Sequence, residues 1–508
     1  MIASNSEKPI APLFQKVPFT DPVHLLPALA DMPMLAFLDS ALPSRRLGRY
    51  SYLAFSPFAT FRVTDGKAYW DDTELPDAPF PALQKKLNAF RLATAEGSLP
   101  PFQGGAMGYL AYEAGRLLER LPETGQELHK SHDILLPFYD LVLAIDHFPD
   151  ECQNNGLAKA WIFSSGWPCE GKERQNHAEQ RLVWFRDQLE QAKNTGKRLS
   201  SPPPVTRWRS NFSRKNFEQA IARTQDHIRE GDIFQANITQ RFSAPRPNVS
   251  TATPLAYYQS LRKNNPAPFA AFLNFKDHAV ASSSPERFIT LDAKGRVETR
   301  PIKGTAPRNL SDKVQDEASA KALENSEKDR AENIMITDLM RNDLSRVCLP
   351  GTIKEPQVCA LESYAAVHHL VSTVTGEMKK GLGAVALLGA SFPGGSITGA
   401  PKIRAMEIIT ELEDLPRNVY CGSIGYIGLN GAMDTNIAIR TATFKDNMIH
   451  FNVGGGITIL SDPATEYEEC LHKAAAIFKG FGTSAEAERE SLEEAPVEKA
   501  RQEDDKSR

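Results

Sequence analysis

The chain has no apolar run long enough to cross a bilayer. Segments such as Ala384 to Ala390 stop far short of the roughly 20 residues a spanning helix needs. It also lacks a surplus of charge of one sign: 59 Lys and Arg stand against 63 Asp and Glu, for a net charge of -4. Without a basic stripe or an RNA- or DNA-binding motif, nucleic acid is not expected as a partner, and neither is a membrane. Cysteine pairs are missing too. The six cysteines (Cys152, Cys169, Cys348, Cys359, Cys421, Cys470) show no CxxC spacing. That argues against a zinc site and a disulfide framework and fits a reducing compartment, so a cytoplasmic location is expected. Met1 to Gln15 lacks the basic start and apolar stretch of a secretory signal. The glycine cluster Gly104 to Tyr109 lacks the Lys-Ser/Thr ending of a phosphate loop.

What is there is ordinary globular material: 508 residues, 41% hydrophobic and 24% charged, ample for a large core. Residues Ala36 to Val63 alternate apolar and polar between prolines, as short antiparallel strands do. Tyr139 to Phe148 reads as another strand. The polar, proline-rich stretch 194–210 reads as a linker between an N-terminal region, 1–193, and a second region, 211–483. After it, Ser213 caps a predicted helix with Phe217, Ile221, Thr224 and Ile228 on one face and Gly231 at its end. Ile233 to Phe242 alternates as a strand, with Gln235, Asn237, Thr239 and Arg241 on a polar face that must meet water, a polar layer or a ligand. The charged tail, 484–508, is expected to be disordered.

Chemistry concentrates in the second region. Pro301-Ile302-Lys303-Gly304-Thr305 places one lysine in an otherwise uncharged turn, where desolvation favours a neutral, nucleophilic amine. Upstream, Ser284-Pro285-Glu286-Arg287 and the segment to Pro301 read as a β-hairpin turning at Lys294-Gly295. If its register runs to the open end, Glu286 and Lys303 pair across it with Cβ atoms about 4.5–5.5 Å apart. A structural ion pair and a nucleophile–acid pair are both open at this point. A helix starting at Ser326 presents Asp329 and Glu332 on one face, with Ala331, Met335 and Leu339 as its packed stripe. A later helix presents Glu466, Glu469 and Lys473. Two such helices suit a hard divalent cation, though each pair taken alone reads first as a solvated face. Glycine-rich Phe392 to Lys402 precedes a helix, and Gly454 to Gly456 follows a strand; both offer backbone N–H groups to an anion. Arg440, at the end of a strand-like stretch, suits a carboxylate, and a buried structural salt bridge is equally open at this point.

Taken together these segments resemble the chorismate-utilising enzymes. The resemblance is strong from about Asn211 to Gly482 and weaker from Leu25 to Phe148. It rests on Gly231 to Gln235, Ser284 to Arg287, the turn at Lys303, Asp329 to Asn333, Asp338 to Asp343, Gly394 to Lys402 and Gly454 to Ile457. It implies an α+β fold: two interleaved, mostly antiparallel sheets packed as a sandwich with helices outside. The lysine turn points to one branch. Anthranilate synthases resemble Pro-Ile-Ala-Gly-Thr here, and aminodeoxychorismate synthases Pro-Ile-Lys-Gly-Thr, as in this chain. Isochorismate and salicylate synthases carry a lysine where this chain has Gln235. The expected activity is therefore amination of chorismate to 4-amino-4-deoxychorismate. The alternatives are an anthranilate synthase component I and a non-catalytic partner of a glutaminase.

Carried over by resemblance, Lys303 is the nucleophile and Glu286 the acid. Glu332 and Glu469 are Mg2+ ligands, with Asp329 and Glu466 beside them. Thr305, His369, Tyr420, Arg440, Lys473 and Gly454, Gly455 and Gly456 hold the substrate. Ammonia is expected from a glutamine amidotransferase subunit, since no glutaminase nucleophile segment is present in the chain. Leu38-Asp39-Ser40 and Asn265 to Phe269 resemble segments of tryptophan-inhibited anthranilate synthases. They imply a tryptophan pocket built from Ser40, Arg49, Tyr50, Pro266 and Phe269.

Overall fold

The structure is a computed structural model that describes residues 9–125, 131–149, 158–247, 253–364 and 367–493. Two 12-stranded sheets form its frame, and every strand pairing within them is antiparallel. Each takes strands from both halves of the chain. In the first, Leu35–Asp39 pairs with Phe269–Asn274, and from there the sheet runs through His278–Ser284, Thr441–Lys445 and Met448–Ile457 to Gln235–Pro245. In the second, Gly105–Leu110 pairs with Ser423–Gly428. That sheet continues through Met433–Asn436, Arg287–Leu291, Arg296–Thr299 and Val367–Glu377 to Ile302–Pro307. The expected interleaving of two sheets is therefore what the chain adopts.

The two-residue period of a strand explains how the layers stack. In Leu141–Asp146, Val142 and Ala144 enter a core shared by both sheets, alongside Met107, Tyr109, Tyr139 and Tyr426. Leu141, Leu143 and Ile145 point the other way, into the layer beneath the helices. Phe217 and Ile221 of helix Arg214–Arg229 and Tyr467 and Phe478 of helix Pro463–Gly480 cover the outer face of the first sheet. Ile336 and Met340 of helix Glu327–Ser345 cover the second. This is a sandwich with helices outside.

Several local expectations change on folding. Ser213 accepts from the Asn216 N–H and caps its helix as read, and Gly231 follows at a positive φ of 83°. The 194–210 stretch, expected as a linker, contains Val205 and Trp208, both fully buried. Trp208 donates its backbone N–H to the Glu488 carboxylate at 3.2 Å, and Leu492 is buried as well. Thus 484–493 of the expected disordered tail packs, because this stretch offers Trp208 both an apolar and a polar partner; 494–508 lies outside the described residues. In helix Glu327–Ser345 the buried face is Asn333, Ile336, Thr337, Met340 and Leu344, not Ala331, Met335 and Leu339. Asn333 binds backbone and side chains of the adjacent strand, and that turns the helix away from the face its apolar residues alone suggest.

Candidate active site

The site forms where the chain crosses between sheets. His278–Ser284 belongs to the first sheet and Arg287–Leu291 to the second, so Glu286 lies on one crossing. Met433–Asn436 belongs to the second and Thr441–Lys445 to the first, so Arg440 ends another. The crossings are stitched together. Ile437 donates its N–H to the Glu286 carbonyl at 3.0 Å, and Ser283 donates its N–H to the Arg440 carbonyl at 3.1 Å.

The hairpin before Lys303 exists, but its register does not reach the lysine. Thr290 pairs with Glu298 and Leu291 with Val297, and the ladder ends there. Ile302–Pro307 continues, in the same register as Arg296–Thr299, along the same edge of Val367–Glu377, whose other edge is taken by Lys354–Ser363. The cross-strand pairing of Glu286 with Lys303 is therefore corrected. The ladder between the two arms ends at Thr290 and Glu298, and beyond it the second arm stays paired with Val367–Glu377 alone. Glu286 still meets the lysine turn through its side chain. Its carboxylate accepts the Ile302 N–H at 3.4 Å, and the Lys303 charge acts on it.

Lys303 sits at a bulge. It pairs with Leu370, while Thr305 pairs with His369, and Gly304 is the extra residue at φ 82°. A Cβ at Gly304 would stand 2.9 Å from the Asp329 Cβ, so glycine alone fits. The Lys303 Nζ lies 3.5 Å from Asn237 Oδ1 and 3.8 Å from Glu332 Oε2. Burial lowers the Lys303 pKa, against the pull of Glu332, and the Lys473 charge lowers it further. Burial pushes the Glu286 carboxyl up to about 7, against hydrogen bonds from Ser396 and Ile302 and the charge of Lys303. Both groups move toward their neutral forms, the states required of a nucleophilic amine and a proton donor.

Thr305 Oγ1 and His369 Nδ1 are 2.9 Å apart. Burial and the nearby Arg440 charge lower the His369 pKa to about 4, so the ring is neutral at pH 7. Burial likewise lowers the Arg440 pKa. Among the described residues no carboxylate lies within ion-pair distance of Arg440, and its Nη1 donates to Asn265 Oδ1 at 3.3 Å. A half-buried, partly desolvated guanidinium without an anion is a site for one.

Gly454 to Gly456 lie inside strand Met448–Ile457 rather than after it, opposite Thr239, Ile238 and Asn237. Space explains them. A Cβ at Gly456 would stand 2.2 Å from Gln235 Nε2 and 3.0 Å from Lys303 Nζ, and one at Gly455 3.2 Å from Lys473 Nζ. Lys473, itself exposed, donates to the Gly454 carbonyl at 3.2 Å. Tyr420 is buried beside Cys421 and the Arg417–Glu413 pair, and burial raises its pKa.

The four acids come from two elements, and three lysines hold three of them. Lys303 is 3.8 Å from Glu332, Lys328 is 3.7 Å from Glu466 and Lys473 is 2.8 Å from Glu469. Burial raises the Glu332 pKa. Burial would raise that of Glu469 too, but Lys473, Lys328 and Lys303 together leave it lowered. All-oxygen donors of this kind fit magnesium. Their oxygens stand apart, however. Among the described residues, only His227, Glu230 and Asp232 bring three ligand atoms within 4.8 Å of one another, and Asp232 is already paired with Arg404.

Sequence reading missed part of the scaffold. Lys402 donates to Asp343 at 2.6 Å and to the Ser391 carbonyl at 2.7 Å, tying helix Glu327–Ser345 to the glycine-rich loop. Arg417 and Glu413 form a buried pair that also receives Thr239 and spans to the Asn237 carbonyl. The polar face of Gln235–Pro245 was the visible signal: it meets this polar layer and Lys303, and Gln235 Oε1 is buried without a partner among the described residues.

A separate cavity of about 310 Å³ opens between the sheets. Ser40, Arg49, Tyr50 and Phe269 line it; Pro266 does not, being exposed, and Pro268 lines it instead. Ser40 Oγ donates to the Tyr50 carbonyl at 2.6 Å, and Arg49 grips Asp146 through two nitrogens.

Comparison with known proteins agrees with this architecture. Residues 38–479 match the family model described as chorismate binding enzyme, and the chain belongs to that family. Among its relatives, aminodeoxychorismate synthase component 1 of Salmonella typhimurium is 38% identical over 458 residues, covering 89% of this chain and 94% of that protein. Anthranilate synthase component 1 of Aquifex aeolicus is 33% identical over 465 residues, covering 89% and 90%. The crystal structure of anthranilate synthase component I from Streptococcus pneumoniae superposes with a TM-score of 0.73 at 30% identity, covering 86% of this chain and 93% of that one.

Proposed function

We propose that the chain is the chorismate-aminating component of an aminodeoxychorismate synthase, acting in the cytoplasm with a glutamine amidotransferase subunit that supplies ammonia. The observation that carries this reading is one buried site in which the Lys303 pKa is lowered and the Glu286 pKa raised. The lysine stands at the position where the aminating branch resembles this chain. The relatives at 38% identity support the same choice, and their designation as component 1 supports a second component.

In this mechanism the neutral Lys303 Nζ attacks C2 of chorismate. The ring double bond shifts, the C4–O bond breaks, and the Glu286 carboxyl gives its proton to the departing hydroxyl, which leaves as water. Ammonia then bonds to C4, the double bond shifts back, and the C2–N bond to Lys303 breaks. The proton shed by the new amine returns to the Glu286 carboxylate. The enolpyruvyl group stays in place. Arg440 holds a substrate carboxylate, with Tyr420, Lys473 and the Gly454–Gly456 amides completing the anion sites, and the neutral His369 and Thr305 orient the ring. Magnesium, held by Glu332 and Glu469 with Asp329 and Glu466 beside them, supplies charge neutralisation to the ring carboxylate when bound. Loading it would draw the acids from their lysines. The cavity at Ser40 and Phe269 is read as the tryptophan pocket.

Mass spectrometry of the product formed from chorismate, magnesium and ammonium tests the proposal. The expected product is 4-amino-4-deoxychorismate. Direct release of anthranilate and pyruvate would overturn it.

A further inference from the structure

We propose that Asn265 is a further substrate-binding residue: one end of its amide fixes Arg440, and the other completes the same carboxylate site. The inference rests on the assignment of Arg440 to a substrate carboxylate. It begins with the clamp around that arginine. Arg440 adopts a left-handed backbone, φ 52°, and its carbonyl accepts the Ser283 N–H at 3.1 Å. The Ser283 hydroxyl donates to the Asn265 carbonyl. Asn265 in turn caps helix Pro254–Asn264, its N–H donating to the Leu261 carbonyl at 2.8 Å. Ser283 thus holds Arg440 and Asn265 in one fixed relation.

Chemistry settles which way the amide faces. The guanidinium has only donors, so the Asn265 oxygen must face Arg440 Nη1, 3.3 Å away; a flipped amide would set donor against donor. This leaves Nδ2 on the other side. That nitrogen is buried and has no hydrogen-bond partner among the described residues. An unpaired buried donor is unfavourable, and one on the amide that grips an anion-seeking arginine is explained if both donate to one acceptor group. A carboxylate, with two oxygens and several lone pairs, is that acceptor.

Calorimetric titration of the full chain with chorismate tests this, using wild type, Asn265→Ala, Arg440→Gln and the double variant, with thermal unfolding to verify each fold. An Asn265 that acts only by fixing Arg440 has nothing left to fix once the arginine is gone, so a purely structural role predicts that Asn265→Ala changes chorismate binding by less than about twofold in the Arg440→Gln background. The proposal predicts a further loss of at least about tenfold there, because the amide's own hydrogen bond to the carboxylate is removed. A change within about twofold in that background overturns the proposal, as does a wild type that fails to bind chorismate. Should Arg440→Gln not fold, Arg440→Lys serves as the background by the same margins. A wild type that binds chorismate but releases no aminated product sinks the proposed function, and the double variant still decides this inference.

Discussion

Ile437 donates its backbone N–H to the carbonyl of Glu286 at 3.0 Å. The two residues are about 150 positions apart in the chain, yet this bond joins the two crossings that carry Glu286 and Arg440. Crossings leave the ladders of both sheets, so their side chains are free to face a ligand rather than a neighbouring strand. The acid and the anion-binding arginine are thereby placed on rigid supports, and the Lys303 turn closes against Glu286 through Ile302.

Replacing Lys303 with alanine removes the nucleophile. Amination should fall by about three orders of magnitude or more, the scale on which removal of a covalent catalyst acts. A covalent Lys303–substrate adduct, which mass spectrometry of the intact wild type should detect during turnover, should be absent from the variant. Unchanged amination would remove the lysine from the mechanism.

Glu286→Gln separates activity from stability. The folded-state pKa of about 7 is raised above the ordinary carboxylate value by burial. Between the two values the unfolded chain gives up a proton that the folded chain keeps. Stability from this group is therefore lost as pH rises toward 7, and above it the buried charge is a constant penalty on the order of 3 kcal/mol. Glu286→Gln should raise the melting temperature at pH 8 more than at pH 5 while abolishing amination. In the wild type, the rate should fall as pH rises through about 7, because the acid loses its proton.

The carboxylate cluster is tested by titrating magnesium against Glu332→Gln and Glu469→Gln. Each variant should need at least about tenfold more magnesium for half-maximal activity, the scale of losing one anionic ligand from an oxygen site. A magnesium requirement unchanged in both would move the metal elsewhere.

Lys402→Met leaves the largely buried Asp343 without its cation, and burial already raises the Asp343 pKa. Chemical denaturation should show a loss of about 3–5 kcal/mol. The double variant with Asp343→Leu should recover most of it, since an apolar pair of similar size removes the uncompensated charge.

L-tryptophan should raise the melting temperature of the wild type if the cavity at Ser40 holds it, by up to about 2.7 kcal/mol of added stability at a hundred times its dissociation constant. Ala270→Phe, which fills the cavity wall, should erase the shift.

Legibility tracks how local each determinant is. The Ser213 cap, the acidic helix starts, the alternation of Gln235–Pro245 and the turn at Lys294-Gly295 were all visible, since each depends on neighbours within a few residues. The partners of Lys303, Asn333, Lys402 and Arg440 were not, since each lies on a distant segment. The sequence by itself determined the kinds of groups available: one lysine in an uncharged turn, acids at helical spacing, and glycines where no side chain fits. Only the tertiary structure decided that the Lys303 pKa moves down and the Glu286 pKa up, because that depends on how much water the two sheets exclude. It also decided that Glu286 reaches the lysine turn through its side chain and the Ile302 N–H rather than as a paired strand residue, because the chain crosses between the sheets at Glu286 and leaves the hairpin ladder.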